Sequence, residues 1–252
     1  MMLSILCAAR TASRRYLGSL YRPSNPYLSK MSETRSIWKP LVWIDCEMTG
    51  LNHNSDRIIE ICCIITDGRL SVVDNNCYES VIHCDKSTLD QMGPWCVEHH
   101  GSSGLTQRVL ESDKTREQVE EELLQFIKKY VPEPRTGLLS GNSIHMDRLF
   151  MLKDFPRVLE HLHYRIVDVS TIMEVSFRHN PGLASQQPKK AGAHTAKQDI
   201  LESIQQLRWY MDNYFKPPEG SDTLDKRTIS EASGEDTQQL EGERDSKRTR
   251  QE

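Results

Sequence analysis

Residues 41–66 read LVWIDCEMTGLNHNSDRIIEICCIIT, and this stretch decides the fold. The run at 41–45 is apolar, has the length of a strand and ends in an acid. The run at 58–66 is rich in β-branched residues, which favour strands. We therefore predict two consecutive β-strands here, with an acidic residue at the end of the first.

Later segments alternate between strand-like and helical patterns. Apolar residues recur at helical spacing over 117–130, with acids early and Lys128 and Lys129 late, as the helix dipole favours. A third strand at 70–73 and 78–83 would complete a meander over 41–84. Further strands are predicted at 137–141 and 164–168, and further helices at 148–159, 170–178 and 199–215. Strands first and alternating β and α units afterwards predict a single α/β domain, in which helices flank a mixed β-sheet.

The two ends of the chain differ in composition from the middle. Residues 1–32 contain five basic residues, many serines and no acid, which is typical of a mitochondrial transit peptide. A disordered basic tail is the alternative, and Met31 offers a second start that would yield a cytosolic form. Residues 217–252 are crowded with small polar and charged residues and cannot bury enough apolar surface to fold. We therefore place the leader at 1–37, the domain at 38–216 and a disordered charged tail at 217–252.

Charge and cysteine content exclude several classes of protein. The formal net charge of -4 does not fit a protein that holds long duplex DNA through a basic face. The seven cysteines are odd in number and include no CxxC pair, so neither a disulfide framework nor a zinc site is expected. No stretch approaches the roughly 18 apolar residues that a membrane span requires. A small nucleic acid held with metal ions remains compatible with this composition.

Asp45 and Glu47 are the first candidates for chemistry. They stand two residues apart at the end of a predicted strand, so their carboxylates point to the same face. A divalent cation relieves the repulsion between two such anions, and hard Mg²⁺ prefers carboxylate oxygen. Acids at strand ends are also common on ordinary protein surfaces, so this pair alone does not establish a metal site.

Three further polar residues extend this pattern. Asp147 follows the segment GNSIH, and His194 precedes Asp199 at a spacing that suits a loop histidine before a helix that carries the aspartate. Two metal ions about 4 Å apart can activate water and steady the leaving oxygen in phosphodiester hydrolysis. A neutral histidine can take the proton of that water near its own pKa. Four acids and one histidine therefore fit a metal-dependent phosphodiesterase.

Four segments in this order resemble the oligoribonucleases of the DEDDh exonuclease superfamily: WIDCEMTGLN at 43–52, GNSIHMD at 141–147, HYRIVDVST at 163–171 and KKAGAHTAKQDI at 189–200. The resemblance covers residues 40–215 and implies a ribonuclease H-like fold, a homodimer and dependence on two divalent ions, Mg²⁺ or Mn²⁺. It implies a 3′-to-5′ exoribonuclease that degrades short oligoribonucleotides, especially dinucleotides, to nucleoside 5′-monophosphates. By position, His194 is the general base, and the acids that hold metal are Asp45, Glu47, Asp147 and Asp199.

Other positions that match the family concern substrate. Leu51 matches a wedge that lies against the bases, and Trp95 matches an aromatic residue on which a base stacks without reading sequence. A core position is the alternative for Trp95. The residues that match the cap on the 5′ phosphate are Ser143, Arg165 and Ser170, with Tyr164 contributed by the partner subunit. An arginine fork offers paired donors to phosphate oxygens, and such a cap makes dinucleotide preference a matter of cleft length.

The chain departs from the family pattern at a few places. Lys197 and Gln198 stand where relatives usually carry a long aliphatic residue and an acid before the last aspartate. Cys46 replaces a common leucine between the first two acids. None of these changes removes a predicted ligand, but they leave open the local electrostatics near the second metal.

Two alternatives stay open on the sequence alone. Another exonuclease of the superfamily, acting on DNA or on longer RNA, would share the five polar residues, but the HYRIVDVST segment and the lack of a basic face favour an oligoribonuclease. A catalytically silent RNA-binding scaffold could keep the fold, although it has no physical reason to keep four acids together. The expected partners are short oligoribonucleotides and a second copy of the chain, without membrane insertion, in the mitochondrial matrix.

Overall fold

The computed structural model describes residues 36–188 and 195–216, and the predicted leader, the predicted tail and His194 lie outside these ranges. The strands are β1 Leu41–Met48, β2 Ile58–Thr66, β3 Tyr78–Val81, β4 Leu138–Gly141 and β5 His163–Asp168. They form one mixed sheet in the order β3-β2-β1-β4-β5. The mixed sheet flanked by helices that the sequence predicts is therefore confirmed.

Strand β1 is the central strand and carries the first two candidate acids. It pairs antiparallel with β2, with Asp45 opposite Cys62 and Glu47 opposite Glu60. On its other side it pairs parallel with β4, but only as far as Trp43. The acids therefore follow the point where β1 and β4 separate, and in α/β sheets ligands commonly bind in the crevice at the carboxyl ends of such strands.

Helices cover both faces of the sheet. In the described ranges they are α1 Lys86–Leu89, α2 Pro94–Ser102, α3 Leu105–Glu111, α4 Arg116–Tyr130, α5 Ile144–Asp154, α6 Pro156–His161, α7 Val169–His179, α8 Pro181–Ala184 and α9 Ala196–Asn213. The helices predicted at 117–130, 170–178 and 199–215 correspond to α4, α7 and α9. Helix α4 begins at a capping box, in which the Thr115 side chain and Gln118 satisfy each other's backbone N–H groups.

Alternate residues of β1 face opposite layers of the core. Val42 and Ile44 join a buried cluster to which α4, α5 and α6 contribute. Leu41 and Trp43 join a second cluster with α9, and the fully buried Trp43 indole donates a hydrogen bond to Thr66 Oγ1 at 2.9 Å. Because both faces are covered, the residues of β1 and β2 read as long apolar runs rather than as an alternating pattern.

Two predictions of secondary structure are wrong. The single helix predicted at 148–159 is divided into α5 and α6, because Pro156 has no N–H to donate and its ring disfavours helical geometry at Phe155. Residues 70–73 do not form a strand, and their contribution to the described sheet is an isolated bridge between Val72 and Thr66.

Helices α1 to α3, in the segment between β3 and α4, were not predicted. Each spans at most 9 residues, too few for an apolar period to stand out. Helices α2 and α3 carry His100 and Arg108 to the end of β1 and β2 that holds the candidate acids. Within the described part of the chain, no helix is long and apolar enough to cross a lipid bilayer.

Candidate active site

Three carboxylates meet at the carboxyl end of β1. Asp45 and Glu47 come from the strand and Asp199 comes from the first turn of α9, and their oxygens lie within 4.8 Å of one another. The spacing of two residues places the strand's two acids on one face, and α9 packs across the same strand. All three side chains are partly buried. The structure thus brings together three of the four acids predicted from the sequence.

The fourth acid, Asp147, borders this cluster. It lies in the first turn of α5, is buried, and accepts a hydrogen bond from the backbone N–H of Cys46 at 3.0 Å. Because Cys46 stands between Asp45 and Glu47, this bond holds the fourth carboxylate against the strand segment that carries the first two.

Crowding and burial perturb these acids. The pKa of Glu47 is raised to about 7, mainly by burial, and further by the negative charges of Glu60, Asp199 and Asp147 in that order. Burial also raises the pKa of Asp147 to about 7, although its hydrogen bond with the Cys46 backbone opposes the shift. The raised pKa values of these two neighbouring carboxyl groups indicate that the negative charge of the site is not fully compensated.

The donor set fits a hard divalent cation. The three converging side chains offer only carboxylate oxygens, which Mg²⁺, Mn²⁺ and Ca²⁺ prefer over softer ligands. An ion pair between Arg108 and Glu60 flanks the cluster across the β1–β2 pairing, and the Arg108 charge lowers the pKa of Glu47. The Arg108 charge offsets only part of the pKa increase that burial and repulsion cause. A bound cation would therefore stabilise the ionised acids further.

Without divalent metal, the folded protein is expected to lose stability as the pH rises. An unfolded carboxyl group titrates at about pH 4, whereas Glu47 and Asp147 in the folded chain hold their protons up to about pH 7. Between these values the folded state binds more protons, so the free energy of unfolding falls as the pH rises, by on the order of 3 to 4 kcal/mol for each of the two groups. Urea unfolding with a chelator should show this loss, and Mg²⁺ or Mn²⁺ should largely abolish it. Equal pH dependence with and without metal would contradict the assignment of these acids to a cation site.

The start of α9 sets the position of Asp199. Thr195 is the N-cap, and its carbonyl accepts a hydrogen bond from the Asp199 backbone N–H at 3.0 Å. His194 immediately precedes this cap but lies outside the described residues. Its role therefore remains a prediction from the sequence.

His100, which the sequence analysis did not select, contacts the cluster. This buried residue of α2 has Nδ1 at 3.9 Å from Glu47 Oε2, and its Nε2 is 2.9 Å from the carbonyl of Met48. It therefore holds the strand segment just after Glu47. No spacing rule along the chain could have selected it, since it reaches the site only through the packing of a short helix.

Two of the residues predicted to contact bases present apolar surface to solvent. Leu51, in the turn between β1 and β2, is 80% exposed. Trp95, at the start of α2, is 57% exposed, and its ring stacks on that of His99 at a centroid distance of 3.8 Å. The alternative that placed Trp95 in the core is therefore wrong. Exposed apolar side chains of this kind suit stacking against bases.

Ser143 and Ser170, two residues predicted to cap a phosphate, lie side by side. Their Oγ atoms are 3.5 Å apart, and Asp168 accepts hydrogen bonds from the backbone N–H groups of both residues at 3.0 Å. Ser143 precedes α5 in the left-handed region, at φ 50°, which few residues other than glycine adopt readily. This strained turn fixes a pair of hydroxyl groups at the ends of β4 and β5.

Tyr164 and Arg165 lie earlier in β5, which is an edge strand of the sheet formed by the described residues. Arg165 stacks over the Tyr164 ring, 5.4 Å from its centroid, and Tyr164 in turn stacks on His163. Both side chains are exposed. Arg165 also lines a cavity of about 560 Å³ with Arg135. The four predicted phosphate-capping residues therefore form two contacting pairs in the single chain. Ser143 contacts Ser170, and Tyr164 contacts Arg165.

Comparison with known proteins identifies relatives over most of the chain. A family model described as Exonuclease matches residues 42–207. The mitochondrial oligoribonuclease of Saccharomyces cerevisiae is 55% identical over 84% of this chain and 83% of its own length. The mitochondrial oligoribonuclease of Homo sapiens is 44% identical over 74% of this chain and 78% of its own length. The probable oligoribonuclease of Schizosaccharomyces pombe is 47% identical over 72% and 69% of the two chains.

Solved structures share the fold at low sequence identity. Exonuclease I of E. coli, solved in complex with a dA16 oligonucleotide, superposes with a TM-score of 0.55 at 13% identity over 70% of this chain. Exonuclease I of Methylocaldum szegediense gives a TM-score of 0.55 at 15% identity over 69% of this chain. The chain spans only 41% of the length of each of these proteins, so the likeness concerns the nuclease fold alone.

Proposed function

The chain belongs to the oligoribonuclease family of exonucleases, and from that membership we infer that it is a 3′-to-5′ exoribonuclease acting on short RNA. One observation carries this function. Asp45, Glu47 and Asp199, from the two ends of the domain, converge within 4.8 Å in a chain that is 55% identical to an oligoribonuclease over most of its length. The products are nucleoside 5′-monophosphates, and dinucleotides are the preferred substrates in this proposal.

The proposed metal centre holds two divalent ions, Mg²⁺ or Mn²⁺. The residues that would bind them are Asp45, Glu47, Asp147 and Asp199. Bound ions of this kind supply a reactive water and neutralise charge on the phosphate. The raised pKa values of Glu47 and Asp147 support the proposal, because a cation offsets the repulsion and burial that raise them.

His194 acts as the general base in this proposal. A neutral imidazole next to the N-cap of α9 can accept the proton of the attacking water, and it is largely neutral near pH 7. His194 directly precedes Thr195, the N-cap of α9, and Asp199 lies in the first turn after that cap. This short spacing along the chain supports the role. The histidine and the aspartate thus share one short segment.

The remaining predicted residues position the substrate. Leu51 and Trp95 lie against the bases, and Ser143, Ser170 and Arg165 bind the 5′ phosphate. A cleft that the phosphate cap closes to longer RNA explains, in this proposal, how a chain with a formal net charge of -4 binds RNA, since only a few phosphates need compensation. The exposure of Leu51 and Trp95 and the pairing of the two serines support these roles.

Substrate length tests the proposed function directly. Purified protein is incubated with a labelled 5′-phosphorylated diribonucleotide, a longer RNA and a DNA primer, each with and without Mg²⁺. We expect the diribonucleotide to be degraded at least about tenfold faster than the other two, because only it fills the cleft to the cap, and we expect no turnover without metal. Faster degradation of longer RNA or DNA would indicate another exonuclease of the superfamily, and binding without turnover would indicate a scaffold.

A homodimer completes the proposed phosphate site, with Tyr164 supplied by the partner subunit. The exposure of Tyr164 on β5, an edge strand of the described sheet, supports this arrangement, because an unpaired sheet edge is a ready surface for a second chain. In a single chain, Arg165 stacks over the Tyr164 ring, and the two serines contact each other.

A mixed dimer tests whether Tyr164 acts across subunits. One subunit carries Tyr164→Ala and the other Asp199→Asn, and differently tagged copies allow the heterodimer to be purified. We expect each variant homodimer to be impaired, whereas the heterodimer regains about half of the native activity, because one of its two sites is complete. If Tyr164 served its own subunit, neither site would be complete and activity would stay low.

The location that the relatives support is the mitochondrion, since several of them are named mitochondrial oligoribonucleases. The basic leader at residues 1–32 supports the same location. A shorter product that starts at Met31 would remain in the cytosol. Fluorescent fusions to residues 1–36 and to the chain from Met31 separate these forms, and a diffuse signal from the first would contradict import.

A further inference from the structure

Two thiols and a carboxylate lie together beside the active site, on the β2–β3 strand pair. Glu79 stands directly opposite Cys62 in the strand register, and Cys77 precedes Glu79 by two residues and so shares its face. The Sγ atoms of the two cysteines and a carboxylate oxygen of Glu79 all lie within 4.8 Å of one another. Cys62 is buried and Cys77 is partly buried. These three residues, the thiol cluster, lie next to the acids of the nuclease centre, since Cys62 stands directly opposite Asp45 in the strand register.

Lys197 occupies the side of the thiol cluster that faces α9. The Cys77 thiol donates a hydrogen bond to Glu79 Oε2 at 3.1 Å, and the Lys197 ammonium lies 3.3 Å from the same oxygen. A cation therefore already contacts the carboxylate of the thiol cluster. Cys62, Glu79 and Lys197 also line a cavity of about 240 Å³, together with Thr195 and Arg108.

We propose that the thiol cluster is a binding site for a thiophilic divalent cation of the Zn²⁺ class, which competes with Lys197 for Glu79. Two sulfur ligands and one carboxylate oxygen, with solvent as the fourth ligand, form a set that Zn²⁺ accepts in tetrahedral geometry. Binding releases both thiol protons to solvent, because a coordinated cysteine is a thiolate. The all-oxygen nuclease centre prefers harder ions, so the two sites differ in the metal they select.

The strand register argues against a disulfide as the function of this pair. Cys77 is a diagonal neighbour of Cys62 rather than its direct partner, and diagonal positions on paired strands are about 7–8 Å apart. A disulfide usually requires Cα atoms closer than about 6.8 Å. A bridging metal ion accommodates the wider spacing, because it adds two bonds of about 2.3 Å between the sulfur atoms.

The position of Lys197 makes this site relevant to the nuclease. Lys197 is in the first turn of α9, which also carries Asp199, and its contact with Glu79 ties that turn to β3. A metal ion that coordinates Cys77 and Glu79 displaces Lys197 from Glu79, so the contact between α9 and β3 is lost. The site would thus connect thiophilic metal to the segment that supplies one acid of the nuclease centre.

Titration of the metal-free full-length protein with Co²⁺ tests the proposal. Cobalt bound to thiolate gives an intense near-ultraviolet charge-transfer absorption, whereas cobalt bound only to carboxylates does not. We expect this absorption in the native protein, its displacement by Zn²⁺, and its loss in Cys77→Ser. The matched control is Cys96→Ser, which removes a similarly half-buried thiol on α2 and should leave the absorption unchanged. Unfolding curves confirm that both variants fold.

A second variant tests the competition with Lys197. Lys197→Met keeps the length of the side chain but removes the cation, so we expect Co²⁺ to bind the thiol cluster about tenfold more tightly or better, an effect within the range that groups around a metal site exert on affinity. No thiolate absorption in the native protein, or equal absorption in Cys77→Ser, would overturn the site. Unchanged or weaker binding in Lys197→Met would overturn the competition.

Discussion

Asp199→Asn is expected to reduce hydrolysis of a diribonucleotide at least about a thousandfold. Loss of one ligand from a metal centre removes several kcal/mol of charge stabilisation, and about 4 kcal/mol corresponds to three orders of magnitude in rate. The effect should fall on kcat, measured under saturating substrate with Mg²⁺ or Mn²⁺. We expect this loss of activity because a carboxylate oxygen of Asp199 lies within 4.8 Å of those of Asp45 and Glu47.

The same substitution is expected to leave the folded protein intact and to stabilise it slightly without metal. The charge of Asp199 raises the pKa of Glu47, so its removal relieves repulsion that opposes folding above about pH 7. The matched control is Asp212→Asn, the same change at an exposed position near the other end of α9, which should alter neither property. Loss of activity together with a lower unfolding temperature would show a structural role for Asp199 instead.

Replacement of His194 by alanine has the second largest expected effect. A positioned general base typically contributes about 10²-fold to 10⁴-fold, so kcat should fall by that factor while binding of the dinucleotide is retained. The decisive measurement is the pH profile of kcat. The native enzyme should lose activity as an imidazole becomes protonated at low pH, and this limb should be absent from the residual activity of His194→Ala.

A surface histidine provides the comparison for that experiment. His83→Gln changes a partly exposed residue that lies near Asp85, away from the nuclease centre, and should leave both kcat and the pH profile unchanged. Retention of near-native turnover in His194→Ala would remove this residue from the mechanism, even if Asp199 were essential. The two variants thus test the metal ligand and the proton acceptor separately.

Long apolar patterns made most of the fold predictable from the sequence. Strands β1 and β2 stand out as largely apolar runs, and α9 repeats its apolar stripe over 18 residues. The division between α5 and α6 was missed although Pro156 marks it, because a helical pattern continues on both sides of that proline. Helices α1 to α3 could not be predicted in this way, because each makes too few turns to display a period.

The candidate site was predictable only in part. The sequence selects Asp45, Glu47 and Asp199 as candidate ligands, and the fold brings them together. It does not reveal that Asp147 is held through Cys46, or that His100 reaches Glu47, since both contacts depend on how helices pack. The expectation of no thiolate metal site rested on the absence of CxxC spacing. Strand pairing brings Cys62 and Cys77 together in spite of their separation along the chain.

The origin of the acid cluster in β1 and α9 has a consequence for the synthesis of the protein. The ribosome releases the strand with Asp45 and Glu47 long before it releases the helix with Asp199, because synthesis proceeds from the N-terminus. A chain that has not been synthesised as far as Asp199 therefore lacks one of the three acids of the cluster, even if its other elements have folded. In this arrangement, RNA near the translating ribosome meets no complete acid cluster until the segment with Asp199 has been released.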